Sequence, residues 1–133
     1  MALLPVTTHH YYKLPGGGVE DGEDKIQAFR RECLEEIGSD AEVIQELGLV
    51  VEYRTEFGLV QTSHCFVGKT SGERKEIAFT KHEILEGFKE PLWVSLDEAI
   101  RLMEAEADNY EGKFIVERDT FILNKVKQLG IGL

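Results

Sequence analysis

Glu32, Glu35 and Glu36 stand three and four positions apart in the sequence. On a helix turning about 100° per residue they fall within an arc of roughly 100° centred near Glu32. Like charges spaced i,i+4, as Glu32 and Glu36 are, destabilise an isolated helix by about 0.2–0.5 kcal/mol, so the grouping is locally unfavourable without a counter-ion. Hard divalent cations take such oxygen ligands, and magnesium leaves further positions to water and to phosphate oxygens. A charge-rich helix face is more often only a solvated one, so the surroundings of these residues decide their meaning.

The overall charge bears on the same question. Twenty-five acidic against 15 basic residues give a formal charge of −10, which argues against non-specific binding to nucleic acid or to an anionic membrane. It does not exclude a phosphate substrate, because carboxylates repel phosphate only until a divalent cation lies between them. A diphosphate bridge hydrolyses slowly, since its anionic centre repels hydroxide and its leaving group carries charge. Magnesium addresses both difficulties, and glycines beside the metal let backbone approach phosphate without a side-chain clash.

The 133 residues, 42% of them hydrophobic, are enough for one substantial core, and a single domain over 1–133 is expected. No apolar stretch approaches the roughly 18 residues of a membrane span, and the opening MALLPVTTHH has neither the basic nor the long apolar region of a leader. A cytoplasmic protein with no membrane partner is the expectation. Cys33 and Cys65 lie in apolar patterns without metal-ligand spacing, which favours buried thiols over a disulfide.

Ala2 to Thr7 and Tyr11 to Leu14 read as strands, the second ended by Pro15, and Gly16-Gly17-Gly18 as a tight loop. From Asp24 to Ile37 the apolar residues Ile26, Phe29, Cys33 and Ile37 recur at helical steps, with Gly38 as the stop. They should form a buried stripe beside a separate glutamate face. Ala41 to Arg54 and Leu59 to Lys69 suggest an antiparallel pair joined through Thr55-Glu56-Phe57-Gly58. A short strand is expected at Leu92-Trp93-Val94, a short helix over Asp97 to Ala105 introduced by Ser95, and a closing amphipathic helix over Glu111 to Gln128. The polar stretch between Lys69 and Pro91 reads as a long loop. This order indicates an α/β sandwich, a mixed sheet with helices on both faces.

From Gly17 the sequence runs GGVEDGEDKIQAFRRECLEEIGS, with Gly17, Glu23, Arg31, Glu32, Glu35, Glu36 and Gly38 at the spacing G-x5-E-x7-R-E-U-x-E-E-x-G-U, where U is bulky and apolar. This resembles the Nudix box, and Leu14-Pro15-Gly16 precedes it as is frequent in that family. Cys33 at the first apolar position and Ser39 at the last depart from the pattern, though neither is a ligand position. Trp93-Val94-Ser95-Leu96-Asp97-Glu98 and the closing helix extend the resemblance more weakly over most of the chain.

The resemblance implies a Nudix-like α/β/α sandwich with a mixed β-sheet. Members usually have one more strand ahead of Ala2 to Thr7; its absence suggests either a shortened chain or a sheet edge covered by a second subunit, hence a possible homodimer. It implies that Mg2+, or Mn2+ in its place, is held by Glu32, Glu35, Glu36 and the carbonyl of Gly16. Glu32 or a loop glutamate would accept a proton from the attacking water. Glu86 is the preferred loop residue, ahead of Glu83 and Glu76, with a solvated charged loop as the plainer reading. Arg31 and Glu23 would pair to orient helix and loop, where an ordinary surface bridge would be worth little. The implied activity is hydrolysis of the diphosphate linkage in a nucleoside triphosphate, a nucleotide sugar, a dinucleoside polyphosphate or ADP-ribose. A non-catalytic nucleotide-binding sensor or interaction module of the same fold is the alternative.

Gly17 and Gly18 would approach substrate phosphate, and Tyr12, with Tyr11, could stack on a base, although packing is the favoured role for both rings. His9 and His10, if on a strand, point to opposite faces and cannot easily chelate together. His64 and His82 lack a partner pattern, and Trp93 is expected in the core. No Walker sequence, G-x-S-x-G elbow or zinc-type His/Cys spacing is present.

Overall fold

The structure, a computed structural model, describes residues 1–54, 58–105 and 107–131. The chain divides into two compact units, one formed by Met1–Leu14 with Phe79–Leu133 and the other by Pro15–Ala78.

In the first unit, strands β1 (Ala2–Val6), β2 (Tyr11–Lys13) and β5 (Leu92–Trp93) make a sheet of order β2-β1-β5. Both ladders are antiparallel, with Leu4 opposite Lys13 and Leu3 opposite Leu92. As the middle strand, β1 has both faces covered, which explains why its sequence is a nearly continuous apolar run: Leu3, Leu4 and Val6 are all buried. Leu3 meets Ala99 and Met103 from the α3 (Leu96–Leu102) region and Leu123 from α4 (Tyr110–Leu129), and Tyr12 and Leu14 pack against this cluster. Both helices begin on polar caps. Ser95 accepts from the Glu98 amide at 3.2 Å, and Asn109 from the Gly112 amide at 2.9 Å.

The stretch expected to be a loop contains helix α2 (Lys81–Leu85). Thr80-Lys-His-Glu83 is a capping box, the Thr80 amide donating to Glu83 Oε1 at 2.9 Å and the Glu83 amide to Thr80 Oγ1 at 3.2 Å. That S/T-x-x-E signal outweighs the polar composition. Trp93 also departs from expectation, being 39% exposed rather than in the core. Two-residue β5 ends the strand order, and both its residues are exposed. His9 and His10 are likewise not on a strand. They lie in the turn linking β1 to β2, where His10 has φ 59°, and their Nδ1 atoms reach the two oxygens of Asp108 at 2.7 and 2.9 Å. The alternation rule for adjacent strand residues therefore does not apply to them.

In the second unit, β3 (Asp40–Arg54) and β4 (Leu59–Ser71) pair antiparallel from Asp40↔Ser71 to Arg54↔Leu59, with irregularities at Val43/Gln45 and Glu46/Gly48. The expected connection through Thr55, Glu56 and Phe57 lies outside the described residues. Every described ladder within either unit is antiparallel. Helix α1 (Lys25–Ile37) packs on β3, and Phe29 lies 5.4 Å from the Phe66 ring and directly over Gly68, where a Cβ would meet the ring edge at 2.8 Å.

The ends of α1 are closely determined. Asp24 caps the N-terminus in a reciprocal box with Gln27, both bonds at 2.8 Å. Gly38 closes the other end in the left-handed conformation at φ 68°. The chain after β4 then returns to that end, the Lys75 amide donating to the Gly38 carbonyl at 2.6 Å and the Ala78 amide to the Glu35 carbonyl at 2.7 Å. These bonds satisfy carbonyls that a helix terminus leaves without intrahelical partners. Among the described residues, no helix is long and apolar enough to cross a membrane.

Candidate metal and active site

The buried stripe of α1 differs from the expected one. Ile26 is 41% exposed, whereas Glu32 and Glu36 are 9% and 0% exposed and belong to the buried set with Ala28, Cys33 and Ile37. The glutamates do not form a separate solvated face. Ala28, Glu32 and Glu36 follow one another at four-residue steps, so the same ridge that packs the helix carries two of the carboxylates. Taking a carboxylate out of water is costly unless charge and hydrogen bonds compensate it, and this position in a helix has no packing reason to be glutamate.

Arg31 organises the exposed side of this ridge. Its Nη2 donates to Glu23 Oε1 at 2.7 Å and its Nε to Glu23 Oε2 at 3.0 Å, a forked grip on one carboxylate. The same Nη2 donates to the Gly18 carbonyl at 2.8 Å, while Nη1 donates to Glu32 Oε1 at 2.7 Å and Glu35 Oε2 at 3.3 Å. One guanidinium thus ties the loop to the helix. Glu23 in turn accepts from the Glu20 amide at 2.8 Å. The Arg31 hydrogen bonds, with the Glu20 amide second, hold the Glu23 carboxyl below its ordinary range. The bond to Glu23 raises Arg31 far above its usual value, against an opposing effect of burial. Arg31 is a permanent cation facing several carboxylates.

The glycine loop meets the ridge at two points. The Gly16 amide donates to Glu36 Oε1 at 3.3 Å, and a Cβ on Gly17 would overlap the Glu32 carboxylate. Gly18 contributes its carbonyl to Arg31 and has open space where a side chain would begin. Gly16, Gly17, Gly18, Glu23, Arg31, Glu32, Glu35 and Glu36 are therefore gathered within the second unit.

These residues fit a hard divalent ion. The donors are carboxylate and carbonyl oxygens without thiol or imidazole, two of the carboxylates, Glu32 and Glu36, are buried, and the glycine corner leaves backbone in reach. Nucleophilic chemistry by Cys33 does not fit. Burial first, then Glu36, Asp40 and Glu32, push its thiol up to about 12, so no thiolate forms near neutrality. Cys33 and Cys65 are both buried thiols, not joined in a disulfide.

Of the other residues singled out in the sequence, Tyr11, Tyr12, Glu83 and Glu86 belong to the first unit and Glu76 to the second. Tyr12 packs against the core cluster of the first unit, and Tyr11 is buried with its ring edge against Gly112, where a Cβ would come within 2.8 Å of it. Glu86 ends α2 and pairs with His82 Nε2 at 2.8 Å, while Glu83 is engaged in the capping box. Glu76 is exposed on the segment that docks at the end of α1. Asp119, which drew no attention in the sequence, is 1% exposed. It follows Ile115 and precedes Leu123 at four-residue steps, and a charged residue on that apolar stripe was the available signal.

A profile of the NUDIX domain matches residues 5–116. The chain is similar to an RNA pyrophosphohydrolase of Wolbachia sp. subsp. Brugia malayi (strain TRS), with 31% identity over 105 residues, 68% of this chain and 62% of that protein. It is 30% identical, with the same coverage of 68% and 62%, to an RNA pyrophosphohydrolase of Wolbachia pipientis subsp. Culex pipiens (strain wPip). The chain thus spans 62% of the length of the curated relatives it matches. Among solved structures, a NUDIX hydrolase from Nitrosomonas europaea superposes with a TM-score of 0.63 at 20% identity, covering 93% of this chain and 80% of that one. With the box residues gathered around α1 and the profile spanning most of the sequence, the chain belongs to the NUDIX family.

Proposed function

We propose that this protein is a magnesium-dependent hydrolase that cleaves the diphosphate linkage of a nucleoside diphosphate derivative. The observation that carries this reading is the pair of buried glutamates, Glu32 and Glu36, set against the glycine corner, Glu32 in the space beside Gly17 and Glu36 on the Gly16 amide. Glu32, Glu35, Glu36 and the Gly16 carbonyl are the residues that would hold Mg2+, with Mn2+ as a substitute. When bound, the ion supplies charge neutralisation at phosphate oxygens and acidifies coordinated water.

The chain's own residues have separate tasks. Arg31 keeps Glu32 and Glu35 turned toward the Gly18 end of the loop, and Glu23 keeps Arg31 in place. The amides of Gly17 and Gly18 are assigned to the phosphate groups, where the absence of side chains permits close approach. Glu32 is assigned the proton of the attacking water, with Glu86 as the loop glutamate that assists. Tyr12 is the ring proposed for the base.

The matched relatives are named for action on RNA, so the 5′ end of an RNA carrying a triphosphate joins nucleoside triphosphates, nucleotide sugars and ADP-ribose as substrates to test. The test is a turnover screen across these classes with Mg2+ and with EDTA. Magnesium-dependent release of phosphate products that Glu32→Gln lowers by about 10²–10⁴-fold supports the reading. A folded Glu32→Gln variant with ordinary turnover would reject the role of Glu32, and no turnover of any class would reject the hydrolase.

A further inference from the structure

The two amides on either side of Pro15 both donate to buried carboxylates. Gly16 reaches Glu36, as described above, and the Leu14 amide donates to Asp119 Oδ2 at 2.8 Å. Leu14 lies one residue past the β1–β2 ladder, whose last pair is Leu4↔Lys13, so no strand partner serves its amide. Pro15 has no amide proton, and a residue before proline is confined to extended conformations. The Leu14 amide is therefore the last backbone donor before the loop, and its direction sets how the chain leaves β2.

The acceptor is unusual for its position. Asp119 lies on the inward stripe of α4 between Ile115 and Leu123, and its other oxygen receives Arg118 Nε at 2.8 Å. An apolar residue there would pack the helix equally well, and a buried aspartate is retained at a cost that its two hydrogen bonds must offset. Both oxygens being engaged, the carboxylate cannot rotate without losing a donor.

We propose that Asp119 is a positioning residue for the glycine loop: it clamps the Leu14 amide, and through Leu14-Pro15 fixes the course of Gly16-Gly17-Gly18 as that segment departs from β2. The catalytic part of this proposal rests on the hydrolase reading, while its structural part does not. In this role Asp119 acts only through Leu14.

The experiment compares wild type with Asp119→Asn and Asp119→Ala by amide hydrogen exchange and by steady-state kinetics. Asparagine keeps the volume but offers one acceptor oxygen to two donors, so it serves where alanine fails to fold. Exchange at residues 14–18 should rise by about tenfold while the central turns of α4 keep their protection. With a turned-over substrate, kcat should fall by about 10- to 100-fold, with KM within about twofold, since a displaced loop costs alignment more than binding. Unchanged exchange at residues 14–18 in a folded Asp119→Asn variant overturns the proposal, whatever the kinetics. Raised exchange with unchanged kcat overturns the catalytic part. If wild type turns over no substrate, the hydrolase reading fails, and exchange alone still decides whether Asp119 clamps the loop.

Discussion

Gly17 and Glu32 are matched so closely that the Glu32 carboxylate occupies the space where a Cβ on Gly17 would stand. The carboxylate is also held by Arg31 Nη1 at 2.7 Å, so it cannot swing aside without giving up a charge-assisted bond. Gly17→Ala should therefore act on Glu32 rather than on the loop alone. We expect the variant to melt within a few degrees of wild type yet lose about 10- to 100-fold in kcat, measured on whichever substrate the screen identifies. Unaltered turnover would show that this close approach has no bearing on the chemistry.

Arg31 serves four carboxylates and one carbonyl with a planar fork, which lysine cannot reproduce. Arg31→Lys should preserve the charge and still cost about 1–3 kcal/mol of stability, read as a lowered midpoint in urea. The measurement that isolates positioning is a double-mutant cycle with Glu23→Gln. If the two substitutions add independently, the grip of Arg31 on Glu23 contributes nothing as a unit.

Glu36 is fully buried, and its assigned role is to bind a cation. Glu36→Gln removes the charge while preserving size, and should weaken Mg2+ binding in calorimetric titration by at least about tenfold while raising apo stability, because a buried carboxylate no longer has to be accommodated. Equal Mg2+ affinity in the two proteins would take Glu36 out of the ligand set.

Among the carboxyls held below their ordinary range are Glu23, chiefly through hydrogen bonds from Arg31, and Asp40, chiefly through those from Arg30. A group whose pKa is depressed in the folded state favours folding above its unfolded pKa, and that contribution is lost as pH falls through the folded value. Stability should begin to drop as pH falls below the ordinary values of 4.5 for Glu23 and 3.8 for Asp40, and continue to drop below them. Melting curves from pH 6 to pH 3 should show a shallower decline in Glu23→Gln than in wild type; parallel curves would count against Glu23 as a source of the acid sensitivity.

Cys33 gives the opposite sign. Its thiol, raised from 9.0 to about 12, favours folding fully below pH 9 and progressively less as pH rises toward 12. At pH 8 the native protein should leave Cys33 unmodified by a thiol reagent, and denaturant should release it. Rapid labelling of native Cys33 would mean that the packing beneath α1 opens readily.

Much of the local structure follows from short-range rules that the sequence states openly. Asp24 with Gln27 and Gly38 bound α1 because caps act within a turn of the helix end, and Ser95 and Asn109 do the same for α3 and α4. The spacing of Arg31, Glu32, Glu35 and Glu36 placed them on neighbouring turns, since helical periodicity is a local property. What periodicity could not tell is which side of α1 meets the interior. Glutamate reads as solvated and isoleucine as buried, yet Glu36 is enclosed and Ile26 exposed, because the inward ridge depends on what packs against the helix. The same limit applies to Asp119 and to the His9, His10 and Asp108 cluster, whose partners are about a hundred residues away. Residue types and spacing determined that this chain could gather carboxylates beside glycines. Only the tertiary structure decided which of them lie out of water and which backbone amides they hold, because burial and long-range hydrogen bonds belong to no single stretch of chain.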